Sequence, residues 1–335
     1  MILHEKENRQ YFAEAIRLTA AEFNVPQSYV EKDYYLTLAL KHLSEYEYAD
    51  HVIFKGGTSL SKVYNAIHRF SEDIDLAILP GGDWAGARVT RVMKKAIDVA
   101  AQGLIPSETK FTSGSRFRKK RYYFPRVNAN EQLGEVEDTL LIECNAFTTP
   151  SPVEKHEVWT LIAEWATANN QLEFIGNFGL QKFEVSVLCW TRTFCEKVLG
   201  LMAAATRGVL NEKVRHFYDL TVLLRHDEIK EFISSDEKFF QIMGVSVQND
   251  IDHANNKQIP WIKEDISNNE PFENIEQVWR TVQKSYHGDF QMMITHDELT
   301  PKDDEIISAL RTISLQLKKY SGSDIHQRCL ATLKK

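Results

Sequence analysis

Residues 51–79, HVIFKGGTSLSKVYNAIHRFSEDIDLAIL, constrain the fold of this chain more than any other stretch. Val52, Ile53 and Phe54 form a short apolar run with the character of a buried strand; Gly56 and Gly57 make a turn, and Thr58 and Ser59 open a helix. A second strand then carries Asp73 and Asp75. Side chains alternate across a strand with period two, so aspartates one residue apart project from the same face. Such a pair suits Mg²⁺, a hard cation usually held by one or two carboxylates together with substrate phosphates. The first amides of a helix lack intrahelical partners, so Gly56, Gly57, Thr58 and Ser59 stand where a phosphate can be bound. Each half alone has a plainer reading, an acidic strand end facing water and an ordinary turn before a helix. A P-loop is excluded, because Ser61 stands where that motif requires glycine and Val63 where it requires serine or threonine.

The combination is narrower than its parts. FKGGTSLSK followed by RFSEDIDL resembles the polymerase-beta-like nucleotidyltransferase superfamily and, within it, the AbiEii/AbiGii (MenT-like) toxin family. The linker over 58–72 is somewhat longer than in the general superfamily, as suits this branch. The resemblance implies an α/β (α+β) nucleotidyltransferase fold: a mixed central sheet flanked by helices over 1–185, and a mainly helical C-terminal lobe over 186–335. It also implies Asp73 and Asp75 as catalytic metal ligands for Mg²⁺, with the triphosphate of a nucleoside triphosphate over residues 56–59. Glu31-Lys32-Asp33-Tyr34-Tyr35 looks like the segment that precedes the core strand in this family, where Lys32 or Asp33 reaches the nucleotide or orders the site. By chemistry alone it is a charged face beside the apolar Val30, Tyr34 and Leu38 of a helix over 28–43, which follows a first helix over 7–23.

With 335 residues, 43% hydrophobic and 26% charged, the chain can form one large or two ordinary globular domains. The formal net charge of −7 excludes attraction of a polyanion to the molecule as a whole, so any nucleic-acid contact needs a local patch. Residues 116–126, RFRKKRYYFPR, supply one: Arg116, Arg118, Lys119, Lys120 and Arg121 can neutralise RNA phosphates, and Tyr122, Tyr123 and Phe124 offer stacking faces. The alternative is a sheet strand with its aromatics inside and its cations in solvent. The four cysteines show neither disulfide nor zinc spacing, which points to reduced thiols in the cytoplasm, and no run is apolar enough to enter a membrane.

A helix following Pro80-Gly81-Gly82-Asp83 to about 102 carries an inner stripe of Val89, Met93, Ala96, Ile97 and Ala100. Residues 138–147, DTLLIECNAF, read as an apolar strand interrupted by Glu143, and a buried carboxylate calls for a metal, a cation or a proton. The superfamily takes a third carboxylate from a strand beside the DxD strand, which makes Glu143 the candidate metal ligand and Asp138 its rival. A helix is expected over 150–168 and a strand over 182–190.

Two further helices, one capped by Thr191 and one following Gly208, carry Lys197 and Asp219. They resemble the family's EK and R-x-x-x-D-L motifs. Carried across, Lys197 contacts the triphosphate or stabilises transition-state charge, and Asp219 orients that lysine or assists the nucleophile. The plain reading is an interhelical ion pair of Lys197 with Asp219, or of Arg215 with Asp219. His216 is read as structural, and the remaining helices, at 227–235, 250–257, 279–286 and 302–320, as a solvated lobe.

The resemblance therefore implies a toxin of a bacterial toxin–antitoxin or abortive-infection module. Such a protein moves a nucleotide onto RNA, above all the 3′ acceptor end of tRNA, and has a cognate antitoxin encoded nearby. A transferase acting on a small molecule or protein, and a non-catalytic module on an inactive transferase fold, are the alternatives. Ser71, two residues before Asp73, is placed to regulate, since a phosphate there would add negative charge beside the metal carboxylates.

Overall fold

The computed structural model describes residues 1–109, 111–127, 138–254 and 259–333, and the chain divides into two units. The first comprises Met1–Val63 and Phe70–Leu188, the second Tyr64–Arg69 and Cys189–Lys335. A single cut between 185 and 186 leaves 64–69 in the first unit, whereas the chain leaves that unit after Val63 and re-enters it at Phe70.

The first unit is built on an eight-stranded mixed sheet. In chain order its elements are α1 (Arg9–Phe23), α2 (Gln27–Ser44), β1 (Val52–Lys55), α3 (Gly56–Lys62), β2 (Asp73–Ile78), α4 (Gly86–Ala100), β3 (Ile105–Pro106), β4 (Thr112–Ser113), β5 (Phe117–Tyr123), β6 (Thr139–Asn145), β7 (Val153–Val158), α5 (Leu161–Ala168), α6 (Leu172–Phe178) and β8 (Phe183–Leu188). The sheet order is β3-β5-β6-β2-β1-β8-β7, with β4 paired to β5. β2 lies at its centre, antiparallel to β1 and parallel to β6.

The centre of the sheet is sided by alternation. Val52, Phe54, Ile74, Leu76, Ile78, Leu140, Ile142 and Cys144 are buried and share one face by register. Leu40 and Leu43 of α2 line a cavity of about 290 Å³ with Val52, Phe54 and Leu76 on that face. α2 is buried nearly all round, through Val30, Tyr34, Tyr35, Leu36, Leu38, Leu40 and Leu43, because α1, α4, α5 and β8 all pack on it. α4 covers β6 and β2 with Val92, Met93, Ala96, Ile97 and Ala100; Val92 takes the place expected for Val89.

The helix expected over 150–168 is in fact two elements. Residues 153–158 are an edge strand antiparallel to β8, and the helix is confined to Leu161–Ala168, with the Thr160 side chain accepting a hydrogen bond from Ala163 N. Trp159, Ile162 and Trp165, three residues apart, imitate a helical stripe. Glu154, Lys155, His156 and Glu157, suited to a charged sheet edge, decide otherwise.

The second unit is helical: α7 (Trp190–Thr206), α8 (Val214–Leu223), α9 (Asp227–Ser234), α10 (Asp236–His253), α11 (Glu270–Glu273), α12 (Ile275–Tyr286), α13 (Asp303–Ser321) and α14 (Asp324–Leu333). Cys189, not Thr191, precedes the first turn of α7, and the Thr191 hydroxyl lies 3.1 Å from Cys189 Sγ. The helix expected over 250–257 is the end of α10, and residues 255–258 lie outside the described part. Segment 64–69 is tied into this unit by an Arg69–Ile294 bridge, by Thr295 N donating to His68 O, and by Tyr64 stacked on Trp190. All four cysteines are buried and unbridged, and no described helix is long and apolar enough to cross a membrane.

Candidate active site

β1 ends in Lys55, and the chain turns at once into α3 through Gly56, whose φ of +85° lies in the left-handed region that favours glycine. A second requirement acts at the same residue: a Cβ there would collide with Asp75 Oδ2 and meet Asp75 Cβ and Cγ at 3.1 Å. The carboxylate of Asp75 therefore lies against the diglycine bend, in the space that a side chain at 56 would fill. Asp73 and Asp75 are half-buried, with Ile74 between them fully buried, so both aspartates are on the face opposite the apolar one.

The hydroxyls of the turn hold this arrangement in place. Thr58 Oγ1 donates to the Asp73 carbonyl at 2.6 Å and lies 2.9 Å from Ser71 Oγ, and Ser59 Oγ donates to Gly56 O at 2.9 Å. Both residues are buried. What α3 can offer an anion is thus its main chain, because the side chains of Thr58 and Ser59 already bind protein groups.

The charges of the Glu31-Lys32-Asp33 segment are not a solvated helix face. Lys32 is buried and ion-paired with Glu72, the residue before Asp73. Burial pushes its ammonium pKa down, against the opposing pull of Glu72 and Asp73. Asp33 Oδ1 accepts from Lys62 Nζ at 2.5 Å, and its Oδ2 accepts from Leu161 N at 2.8 Å, at the first turn of α5. Glu31 accepts from Val127 N at 2.5 Å. Asp33 thus holds the end of α3 and Lys32 the residue before β2, and removing one partner of such a buried pair costs about 3–5 kcal/mol.

Glu143 stands directly opposite Asp75 in the parallel β2–β6 register, and Lys119 stands opposite Glu143 across the β5–β6 pair. Lys119 Nζ lies 3.3 Å from Glu143 Oε2. Among the described residues no group of three carboxylate, imidazole or thiol side chains is placed to hold a metal ion, and the charge of Glu143 is paired with Lys119. Asp138 is exposed, before the strand begins. The basic segment is a sheet strand whose cations alternate: Lys119 and Arg121 are on the carboxylate face, Arg118 and Lys120 on the apolar one, and Arg116 is exposed ahead of the strand.

In the helical unit, Asp219 is fully buried and binds two cations. Arg69 donates to it twice, at 2.7 and 2.8 Å, and Lys197 Nζ lies 2.7 Å from Oδ2. Burial alone would raise the Asp219 pKa, but Arg69 and Lys197 outweigh it and hold the carboxyl well below its usual range. Arg69, not Arg215, is the second cation on Asp219. Its sequence signal was its place at the head of R-F-S-E-D-I-D, where it reads as part of the linker rather than of a helical site. His216 is half-buried with its Nδ1 shut from solvent, and desolvation first and Lys197 second push its pKa well down, so it is neutral.

Two carboxylates on one strand face, one of them against a glycine turn that opens a helix, in a mixed sheet flanked by helices, are the arrangement that the resemblance implies for a nucleotidyltransferase. The sequence pattern of the AbiEii nucleotidyl transferase toxins of type IV toxin–antitoxin systems matches residues 38–308, and the chain belongs to that family. Among solved structures it is similar to MenT4, a nucleotidyltransferase toxin from Mycobacterium tuberculosis H37Rv, at 16% identity and a TM-score of 0.42, over 90% of this chain and 97% of that one. A search of curated proteins finds no match.

Proposed function

We propose that this nucleotidyltransferase is Mg²⁺-dependent and transfers a nucleotide from a nucleoside triphosphate to RNA, with the 3′ acceptor end of tRNA as its acceptor. The observation that carries the reading is the placement of Asp73 and Asp75 on one face of β2, with the Asp75 carboxylate against Gly56. The donor set fits Mg²⁺: two carboxylates on one face of a strand, the oxygen ligands that a hard cation takes. When bound there, the ion supplies charge neutralisation to the phosphates.

The chain's own residues do the rest. Gly56 puts no side chain against the Asp75 carboxylate, and the Thr58 hydroxyl fixes the Asp73 main chain. The opening amides of α3, with Gly57, Thr58 and Ser59, face the phosphates, so that the acceptor hydroxyl attacks the α-phosphorus and pyrophosphate leaves. The family pattern gives Lys197 a contact with triphosphate charge and gives Asp219 its orientation; the observed Lys197–Asp219 pair supports that division. An antitoxin encoded nearby is the protein partner, and the action is cytoplasmic.

The test is incubation with tRNA and each labelled triphosphate in Mg²⁺. Label should appear on tRNA with wild-type protein and be lost with Asp73→Ala. Failure of all four triphosphates to label any RNA would overturn the proposal.

A further inference from the structure

On the side of the sheet that α4 covers, β5 presents cations around an exposed aromatic ring. Phe111, the residue before β4, is 40% exposed. The β4–β5 register pairs Thr112 with Lys119 and Ser113 with Arg118, which sets Phe111 beside Lys120 on the even-numbered face. The Arg118 guanidinium lies over the Phe111 ring at 5.9 Å, and Lys120 Nζ over the same ring at 5.6 Å.

α4 runs along this side of β5. Thr90 Oγ1 donates to Ser115 O at 2.8 Å, just ahead of β5. Toward the other end the Tyr122 phenol is pushed up to about 12, by burial first and by Asp98 of α4 second. Residues four apart share one side of a helix, so Lys94, midway between Thr90 and Asp98, is on the side of α4 that faces β5, with Arg91 and Lys95 in the adjacent row. All three are exposed.

These cations lack the partners that exposed helix cations take elsewhere in the chain, as Arg17 takes Glu14 and Lys230 takes Asp227. Among the described residues, Arg91, Lys94, Lys95, Arg118 and Lys120 have no carboxylate within ion-pairing distance, and Asp98 pairs with none of them. In a chain of formal net charge −7, they concentrate positive charge on one side, where they repel one another and attract a polyanion locally. A phosphate chain offsets that repulsion, and the Phe111 ring among the cations gives an unpaired base a face to stack on. A duplex, with its bases stacked inside, has no such base to offer.

We infer that Phe111, Arg118 and Lys120, with Lys94 of α4 beside them, form a docking surface for single-stranded nucleic acid: Phe111 stacks on a base, and the cations bind the flanking phosphates. The choice of RNA as that strand rests on the proposed transferase reading. Asp73 and Asp75 project from the other side of the sheet, so this surface holds RNA away from the reacting end and acts on binding rather than on chemistry.

The test is anisotropy of a short fluorescent oligouridylate, alone and in a duplex with its complement, over a series of salt concentrations. The variants are Phe111→Ala, Phe111→Trp, Lys94→Gln and Lys120→Gln, with Lys238→Gln at an exposed position of α10 as the control, each checked by its melting curve. Phe111→Ala should weaken single-strand binding about tenfold with the salt dependence unchanged, and Phe111→Trp should retain it. Lys94→Gln and Lys120→Gln should each lower the slope of log affinity against log salt by about 0.7, and Lys238→Gln should change neither quantity. Triphosphate binding with Mg²⁺, read by calorimetry, should be the same in all of them. Wild-type protein that binds no RNA or binds the duplex as tightly as the single strand overturns the inference, as does unchanged affinity in Phe111→Ala or a loss at 238 equal to that at 120. Protein that follows the expected binding pattern yet transfers no label to any RNA overturns the transferase reading and leaves the docking surface standing.

Discussion

Asp219→Asn tests the energetics of the helical unit most directly. The side chain is fully buried, accepts two hydrogen bonds from Arg69 at 2.7 and 2.8 Å, and pairs with Lys197 at 2.7 Å. Asparagine keeps the shape but removes the charge, leaving two buried cations around a neutral amide. Breaking a buried pair by neutralising one partner destabilises by about 3–5 kcal/mol, and two orphaned cations put this case toward the upper end. In a unit of this size each kcal/mol moves Tm by about 2–4 °C, so the melting of the helical unit should fall by about 10 °C, followed by circular dichroism. Lys197→Met should be milder, because Asp219 keeps both Arg69 hydrogen bonds. The double variant should regain part of the Asp219→Asn loss, a coupling of about 0.5–3 kcal/mol, since one uncompensated cation is gone. If Asp219→Asn melts within a degree of wild type, or the two losses simply add, the buried charge balance described here is wrong.

Gly56→Ala is strained by the φ of +85° and drives a methyl group into the Asp75 carboxylate, so it should lower stability by about 1–3 kcal/mol and weaken Mn²⁺ binding read by electron paramagnetic resonance. Gly82→Ala, where an added Cβ meets nothing within 4 Å, should leave both unchanged and is the control. His216 is held neutral by desolvation, its folded pKa lying below the unfolded value of about 6.5. Its contribution is thus complete above that pH and declines below it, as the unfolded chain takes up a proton that the folded one does not. Denaturation curves should lose at most about 1.4 kcal/mol per pH unit from pH 6.5 downward through this group, and His216→Gln should flatten that slope. Phosphorylation at Ser71, whose hydroxyl lies 2.9 Å from Thr58 Oγ1, should suppress triphosphate binding by adding charge beside Asp73; equal affinities of modified and unmodified protein would refute it.

Much of the site was readable because its signals are local. Gly56 and Gly57 before a helix, and Asp73 and Asp75 on alternate positions of a strand, follow from consecutive residues alone. Lys197 and Asp219 were nameable, yet Arg69 was not, because nothing in a linker sequence says which unit the linker joins. Lys32 and Asp33 looked like a solvated helix face, since a charge surrounded by apolar residues carries no mark of the partner that permits its burial. Residues 153–158 fall in the expected helix because Trp159, Leu161, Ile162 and Trp165 carry a helical pattern that does not mark where the helix begins.

The order of residues thus determined the turn, the paired aspartates and the membership of the chain in its family, because backbone periodicity and glycine's conformational range act over a few residues at a time. Tertiary structure alone decided that Glu143 faces Asp75 and takes Lys119, that Lys119 and Arg121 share the carboxylate face while Arg118 and Lys120 leave it, and that Asp219 is held by Arg69. Those outcomes depend on strand register and on burial among residues dozens or more positions apart, where the free energy of pairing a desolvated charge selects the partner.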